Sequence, residues 1–297
     1  MKNENRLLRI CTILIVLTIV CCVGFSYLTK LREPVFLTYC VAVSAVPSQS
    51  TGYDQPVLEL QYLTNSMDTR EVTGISFIEA PDYNFIATEN TQYYNNNFTF
   101  FHDNTTSQRG EAIGRYSLRT VYLYMNNYFI GEWKGEVELK YALINFSDGS
   151  TSKVDLGRIL LYSDPSQVPA LDMTSSGSLG QGVTKTTLFV RETLSKLKVE
   201  SPIVTEADPV MELTINSFAY DELETLELKR GDTISIENII RSDSGEGSYD
   251  VYDVRPKLTY TREDGTKGFT RIYDMTYRKY LYGYMDVLKY LMGRGAF

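Results

Sequence analysis

Val137-Glu138-Leu139-Lys140-Tyr141-Ala142-Leu143, followed by Asp148-Gly149 and then by Leu156 to Tyr162, carries the clearest fold signal in the chain. Val137, Leu139, Tyr141 and Leu143 alternate with Glu138, Lys140 and Ala142. Successive strand side chains point to opposite faces, so this period of two describes a half-buried antiparallel strand. Asp-Gly between two such runs is a hairpin signal, because both residues tolerate positive φ.

The same period recurs on both sides. Upstream, Leu58, Leu60 and Tyr62 alternate with Glu59 and Gln61, and Val121, Leu123 and Met125 alternate with Tyr122 and Tyr124. Downstream, Met211, Leu213 and Ile215 alternate with Glu212 and Thr214. Leu226 and Leu228 follow, then Ile234 and Ile236, and Leu258 and Tyr260 run into Asp264-Gly265 before a return strand near Phe269. Pro56-Val57-Leu58-Glu59-Leu60 rhymes with Pro209-Val210-Met211-Glu212-Leu213, as two related sandwiches or any two ordinary hairpins would.

Between these halves Pro165 to Gly182 is rich in Pro, Ser and Gly, the composition of a linker or of a long surface loop. At the end Tyr277, Tyr280, Leu281, Tyr284, Met285, Leu288, Leu291 and Met292 recur at spacings of three and four, predicting an amphipathic helix over 276–297. Its apolar face has two uses: packing on the second domain, or touching a membrane or partner. The expected architecture is mostly β. A tail (1–9) and a transmembrane helix (10–29) precede two antiparallel sandwich-like domains (34–164 and 185–275), with a linker at 165–184.

The transmembrane reading rests on Ile10 to Thr29, which holds no charged residue. Some 20 helical residues at about 1.5 Å each span a bilayer core of roughly 30 Å. Lys2, Arg6 and Arg9 precede the run and Lys30 and Arg32 follow it, a weak bias towards an N-terminus inside the cell. A cleaved secretory signal would have a shorter apolar core. Its best cleavage point, Val43-Ser44-Ala45, lies beyond the run, and no small residues precede Cys21 or Cys22 as a lipoprotein signal requires. The expectation is an uncleaved single-pass anchor with the bulk of the chain extracytoplasmic.

The 297 residues are 43% hydrophobic and carry a formal net charge of -8. Without Lys2, Arg6, Arg9 and Glu4 the balance is more acidic still, so nucleic acid is excluded as a partner, and the domain as a whole gains nothing from anionic lipid. Cys11, Cys21 and Cys22 fall in the apolar run and only Cys40 lies outside it, which leaves no disulfide within the domain and points to a bacterial surface protein. The sequons at Asn97, Asn104 and Asn145 are then chance triplets in Asn-rich sequence.

Catalytic and cofactor chemistry finds little footing. His102 is the single histidine, so any His-dependent triad must use it, and Cys40 reads as a small apolar strand residue. Ser66-Met67 lacks the proline and partner lysine of a membrane-bound Ser-Lys peptidase. Zinc lacks ligands. Asp243, Glu246, Asp250 and Asp253 form a weak calcium candidate without EF-hand spacing. No cofactor is expected. The candidate contact loop is Tyr93, Tyr94 and Phe98 in an Asn-rich stretch, since loop aromatics give contact area and Asn gives hydrogen bonds. The leading expectation is a non-enzymatic, membrane-anchored binding protein of the bacterial envelope. The rivals are a carboxylate enzyme acting on wall polymer and an accessory subunit of a transporter or secretion complex.

Overall fold

The computed structural model describes residues 2–45, 56–89, 110–125, 135–165, 167–180, 182–223, 226–241 and 248–297, with backbone alone at 2–9 and 180. The chain is mostly β. In order, the elements are α1 (Lys2–Leu28), β1 (Val35–Phe36), β2 (Tyr39–Ser44), β3 (Leu58–Asn65), β4 (Val72–Phe77), β5 (Phe85–Thr88), β6 (Glu111–Ile113), β7 (Tyr116–Met125), β8 (Gly135–Phe146) and β9 (Thr151–Ser163). They continue with β10 (Leu171–Gly180), β11 (Val183–Val190), β12 (Leu194–Glu200), β13 (Met211–Ile215), β14 (Phe218–Ala219), β15 (Thr233–Ile240), β16 (Val251–Asp253), β17 (Lys257–Arg262), β18 (Lys267–Arg271), β19 (Thr276–Arg278) and α2 (Tyr284–Gly293).

Four sheets result. The first runs β1-β3-β7-β5 with β6 added on β7; the second runs β19-β16-β2-β9-β8-β4; the third runs β10-β11-β15-β13-β14; the fourth runs β12-β17-β18. The second sheet is the shared wall of two lobes. Tyr39, Val41, Val43, Leu139, Ile159 and Leu161 join the core built with the first sheet around Leu60, Tyr62, Val121 and Leu123. The neighbours pointing the other way, Cys40, Ala42, Leu160, Tyr162 and Tyr252, join the core of the third and fourth sheets around Leu197, Met211 and Leu258.

Burial on both faces explains a feature the alternation hides. β2 runs parallel to both β9 and β16. Parallel strands covered on both faces read as continuous apolar runs, and Tyr39-Cys40-Val41-Ala42-Val43 is one. The β2–β9 pairing begins at Tyr39 and Gly157. Gly157 has φ +90°, and a Cβ there would lie 2.3 Å from the Tyr39 carbonyl oxygen, so no other residue fits.

Three expectations are corrected. The stretch read as a linker holds β10, paired with β11 from Leu171–Val190 to Gly180–Val183. It is an edge strand with exposed residues from Met173 to Leu179, so its backbone ladder needs no apolar residues. The two halves are also not separate: β16 and β19, from the C-terminal half, complete the second sheet. Finally, the C-terminal helix is shorter than 276–297, because Thr276–Arg278 is β19. Its buried residues Val287, Tyr290 and Leu291 pack on the first core, not on the second lobe.

Candidate functional site

The exit of α1 is the first place where distant residues converge. Ile10–Leu28 has a mean hydropathy of 2.5, and none of it is buried by the rest of the protein; it is long and apolar enough to span a membrane. A helix leaves its last carbonyls without partners. Here the β-domain supplies them. Arg115 Nη1 donates to Ser26 O at 2.6 Å and to Thr29 Oγ1 at 2.7 Å. Tyr116 OH donates to Thr29 O at 2.7 Å. Two residues on, the Asn65 amide takes the Leu31 N–H at 3.0 Å and returns a bond to Leu31 O at 2.7 Å. A cation at a helix C-terminus also complements the helix dipole. The helix is thus held by β3 and the β6–β7 turn, and Leu31 is itself part of the first core.

The lobes are locked to one another by ion pairs. Arg271 is 3% exposed at its side chain; its Nε lies 2.5 Å and its Nη2 2.9 Å from Asp164, and Nη2 lies 3.1 Å from Glu136. Its guanidinium carbon sits 3.5 Å from the centre of the Tyr162 ring. Lys257 Nζ adds a 2.7 Å contact to Glu136. Arg158 bonds Glu138 twice at 2.8 Å and Glu206, in the other lobe, at 2.9 Å.

The outer face of the fourth sheet forms a concavity of about 600 Å³ lined by Lys196, Lys198, Lys267, Thr259, Thr261 and Phe269, with Glu200 at its side. A β-bulge between Ser195 and Lys198 shapes it. The extra residue lets Leu194, Leu197 and Val199 all face the core, while Lys196 is turned outward at φ +53°. Gly268 is required because a Cβ would meet the Tyr260 ring at 2.6 Å. Lys198 shares an ion pair with Glu200 at 3.4 Å, leaving a net basic face on an acidic chain.

The residues singled out from sequence fare differently. Tyr93, Tyr94, Phe98, His102, Asp243 and Glu246 lie outside the described residues. Cys40 is fully buried against Ile203, and burial pushes its thiol up to about 12, which keeps it protonated at neutral pH. Ser66 sits in the turn after β3, its N–H bonded to Arg115 O at 2.8 Å. It shares a cleft of about 470 Å³ with Lys30, Met67, Phe25 and Tyr284. Lys30 is exposed there, whereas a lysine base needs a desolvated setting.

Asp250 is buried and its Oδ2 accepts from Thr38 N at 2.9 Å, Thr38 Oγ1 at 2.9 Å and Tyr290 OH at 2.7 Å. It ties α2 to β2. Asp253 pairs with Arg255 at 2.5 Å instead. Among the described residues no three His, Cys, Asp or Glu side chains gather as a metal site. The clamp residues Asn65, Arg115 and Tyr116 carry no local sequence signal, because their partners lie 34 to 89 residues away. Lys196-Leu197-Lys198-Val199-Glu200 did carry a signal, a strand alternation with charge on its outer face.

No protein-family model matches the chain, and no curated protein matches it. Among solved structures it is similar to a YadV chaperone at a TM-score of 0.25 and 10% identity, over 81% of this chain and 100% of that one, a likeness too slight to carry an argument.

Proposed function

We propose that this chain is a non-enzymatic, single-pass membrane protein of a bacterial envelope, whose β-lobes stand outside the cytoplasm and bind an anionic envelope ligand. What carries this reading is the clamp at the exit of α1. A flexible tether needs no contacts, whereas Arg115, Tyr116 and Asn65 give α1 a fixed direction relative to the lobes. The basic residues before Ile10 support an N-terminus inside the cell. The binding face we assign is the Lys196/Lys198/Lys267 concavity, with the aromatic Phe269 beside it.

The test is in-cell crosslinking from position 259 or 261 of the full chain, both in the lining of the concavity, with and without the triple change Lys196→Glu, Lys198→Glu and Lys267→Glu. Capture of a defined ligand should fall at least ten-fold in the triple variant at unchanged melting temperature. Undiminished capture would remove this face, and the same assay with Tyr93, Tyr94 and Phe98 replaced by Ser then examines that loop. Protease added to intact cells should cut the bulk of the chain; full protection overturns the sidedness.

A further inference from the structure

We infer that the base of the first lobe, built from α2, the segment before it and the Ser66-Met67 turn, seats on anionic lipid headgroups around the exit of α1. This rests on the membrane-anchor reading and deepens it.

The position comes from the clamp. Phe25 and Ser26, in the last turn of α1, line one cleft with Met67 and with Tyr284, the first residue of α2. Tyr284 in turn stacks on Tyr116 at 5.8 Å and fills the space over Gly114. Wherever α1 leaves the hydrocarbon, the first turn of α2 and Met67 are therefore at the level of the headgroups.

The chemistry of the surface fits that level. While Val287, Tyr290 and Leu291 face the core, Met285 and Met292 point outward at 58% and 64% exposure, with Lys289 between them at helical spacing. Tyr280 and Tyr282 stack on each other at 5.4 Å just before the helix, and Tyr282 is 83% exposed. Met67 is 89% exposed and Tyr27, at the end of α1, is 81% exposed. An interfacial helix buries such a row of Tyr and Met at the headgroup boundary.

Charge is the second observation. Lys30 lines the cleft itself, and Arg32 after α1, Lys279 before α2, Lys289 on α2 and Arg294 at its end are exposed, against Glu33 and Asp286, in a chain whose net charge is -8. The net charge argued against anionic lipid, but the local field at the base has the opposite sign. Basic residues held within a Debye length of an anionic leaflet are attracted to it.

The test uses the full chain in phosphatidylcholine vesicles with and without phosphatidylglycerol, with Cys11, Cys21 and Cys22 replaced by Ala. An environment-sensitive dye is placed at Met285→Cys, Met292→Cys or, as a control, Glu263→Cys. Headgroup-labelled quencher lipid should quench positions 285 and 292 but not 263, and more strongly with phosphatidylglycerol. Lys289→Glu should cut the docked-to-undocked ratio by about five-fold or more, the factor one basic residue contributes near such a surface. Protein that survives a carbonate wash yet leaves 285 and 292 as unquenched as 263 overturns the docking and spares the anchor. Equal quenching in both vesicle types overturns the anionic preference. Protein removed by the wash sinks the anchor reading and this inference with it.

Discussion

In the β8–β9 hairpin Phe146 N–H donates to Ser150 O at 2.9 Å, and Asp148 Oδ1 accepts from Ser150 N at 2.9 Å and Oγ at 2.6 Å. In the β17–β18 hairpin Arg262 N–H donates to Thr266 O at 2.8 Å, and Asp264 Oδ1 accepts from Thr266 N at 2.9 Å and Oγ1 at 2.7 Å. Gly149 and Gly265 have φ of +83° and +81°. The turns are the same object, but their return strands differ. β9 runs 13 residues into the middle of the molecule, buried on both faces from Leu156 onward except at Arg158. β18 stops after 5 residues at the edge of the fourth sheet. A turn fixes register locally; the length and periodicity of the return strand report what covers it. The two hairpins then meet at their open ends, where Lys257 and Arg271 of one pair with Glu136 and Asp164 of the other.

Breaking that meeting point should have the largest effect. Arg271→Ala leaves Asp164 and Glu136 short of a buried partner and should cost about 3–5 kcal/mol, read by denaturant unfolding. A loss under about 1 kcal/mol would mean that the lobes hold together without it. Leu160→Ala, in the doubly covered part of β9, should cost roughly 2–5 kcal/mol. Thr261→Ala, half-buried in β17, should stay within about 0.5 kcal/mol of the parent. Comparable losses at both positions would erase the distinction between a covered and an edge hairpin.

Acid should separate the lobes. Burial raises the Asp68 carboxyl, but the bonds from the Arg70 guanidinium, the Arg70 N–H and Thr64 Oγ1 outweigh it and hold the group down at about 2. A depressed carboxylate stabilises the fold fully above its unfolded value, near 4, and loses that contribution as pH falls through the folded value. First-lobe amides should therefore lose hydrogen-exchange protection between about pH 4 and pH 2. Asp68→Asn should remove about 1 kcal/mol at neutral pH and flatten that slope. An unchanged slope in the variant would assign the acid response elsewhere. The smallest effects belong to the turns: Asp148→Ala and Asp264→Ala should lower the melting temperature slightly and equally. A clear inequality would show that the turns are not equivalent after all.

The strand–turn–strand units at 137–162 and 257–271 were legible because alternation and Asp-Gly are local signals. The apolar N-terminal helix was legible for the same reason. Leu156 to Tyr162 was placed as a strand, yet its second buried face was invisible, since nothing nearby says what lies across Leu160. β10 was misread because Thr174-Ser175-Ser176-Gly177-Ser178 advertises side chains that avoid burial, while its backbone ladder leaves no compositional trace. The candidate site was the least legible part. Arg115, Asn65 and Arg271 look like ordinary surface residues until the fold delivers their partners.

The Thr38–Asp250 bond joins residues 212 positions apart. With it, β16 closes onto β2, so the wall common to both lobes lacks β16 and β19 until residues 251–278 arrive. A chain synthesised from its N-terminus would wait with one edge of β2 open and the seat of α2 empty. Non-local closures of this kind slow folding and prolong exposure to aggregation. Early halting of synthesis should therefore yield an adhesive, chaperone-dependent intermediate rather than a finished first lobe.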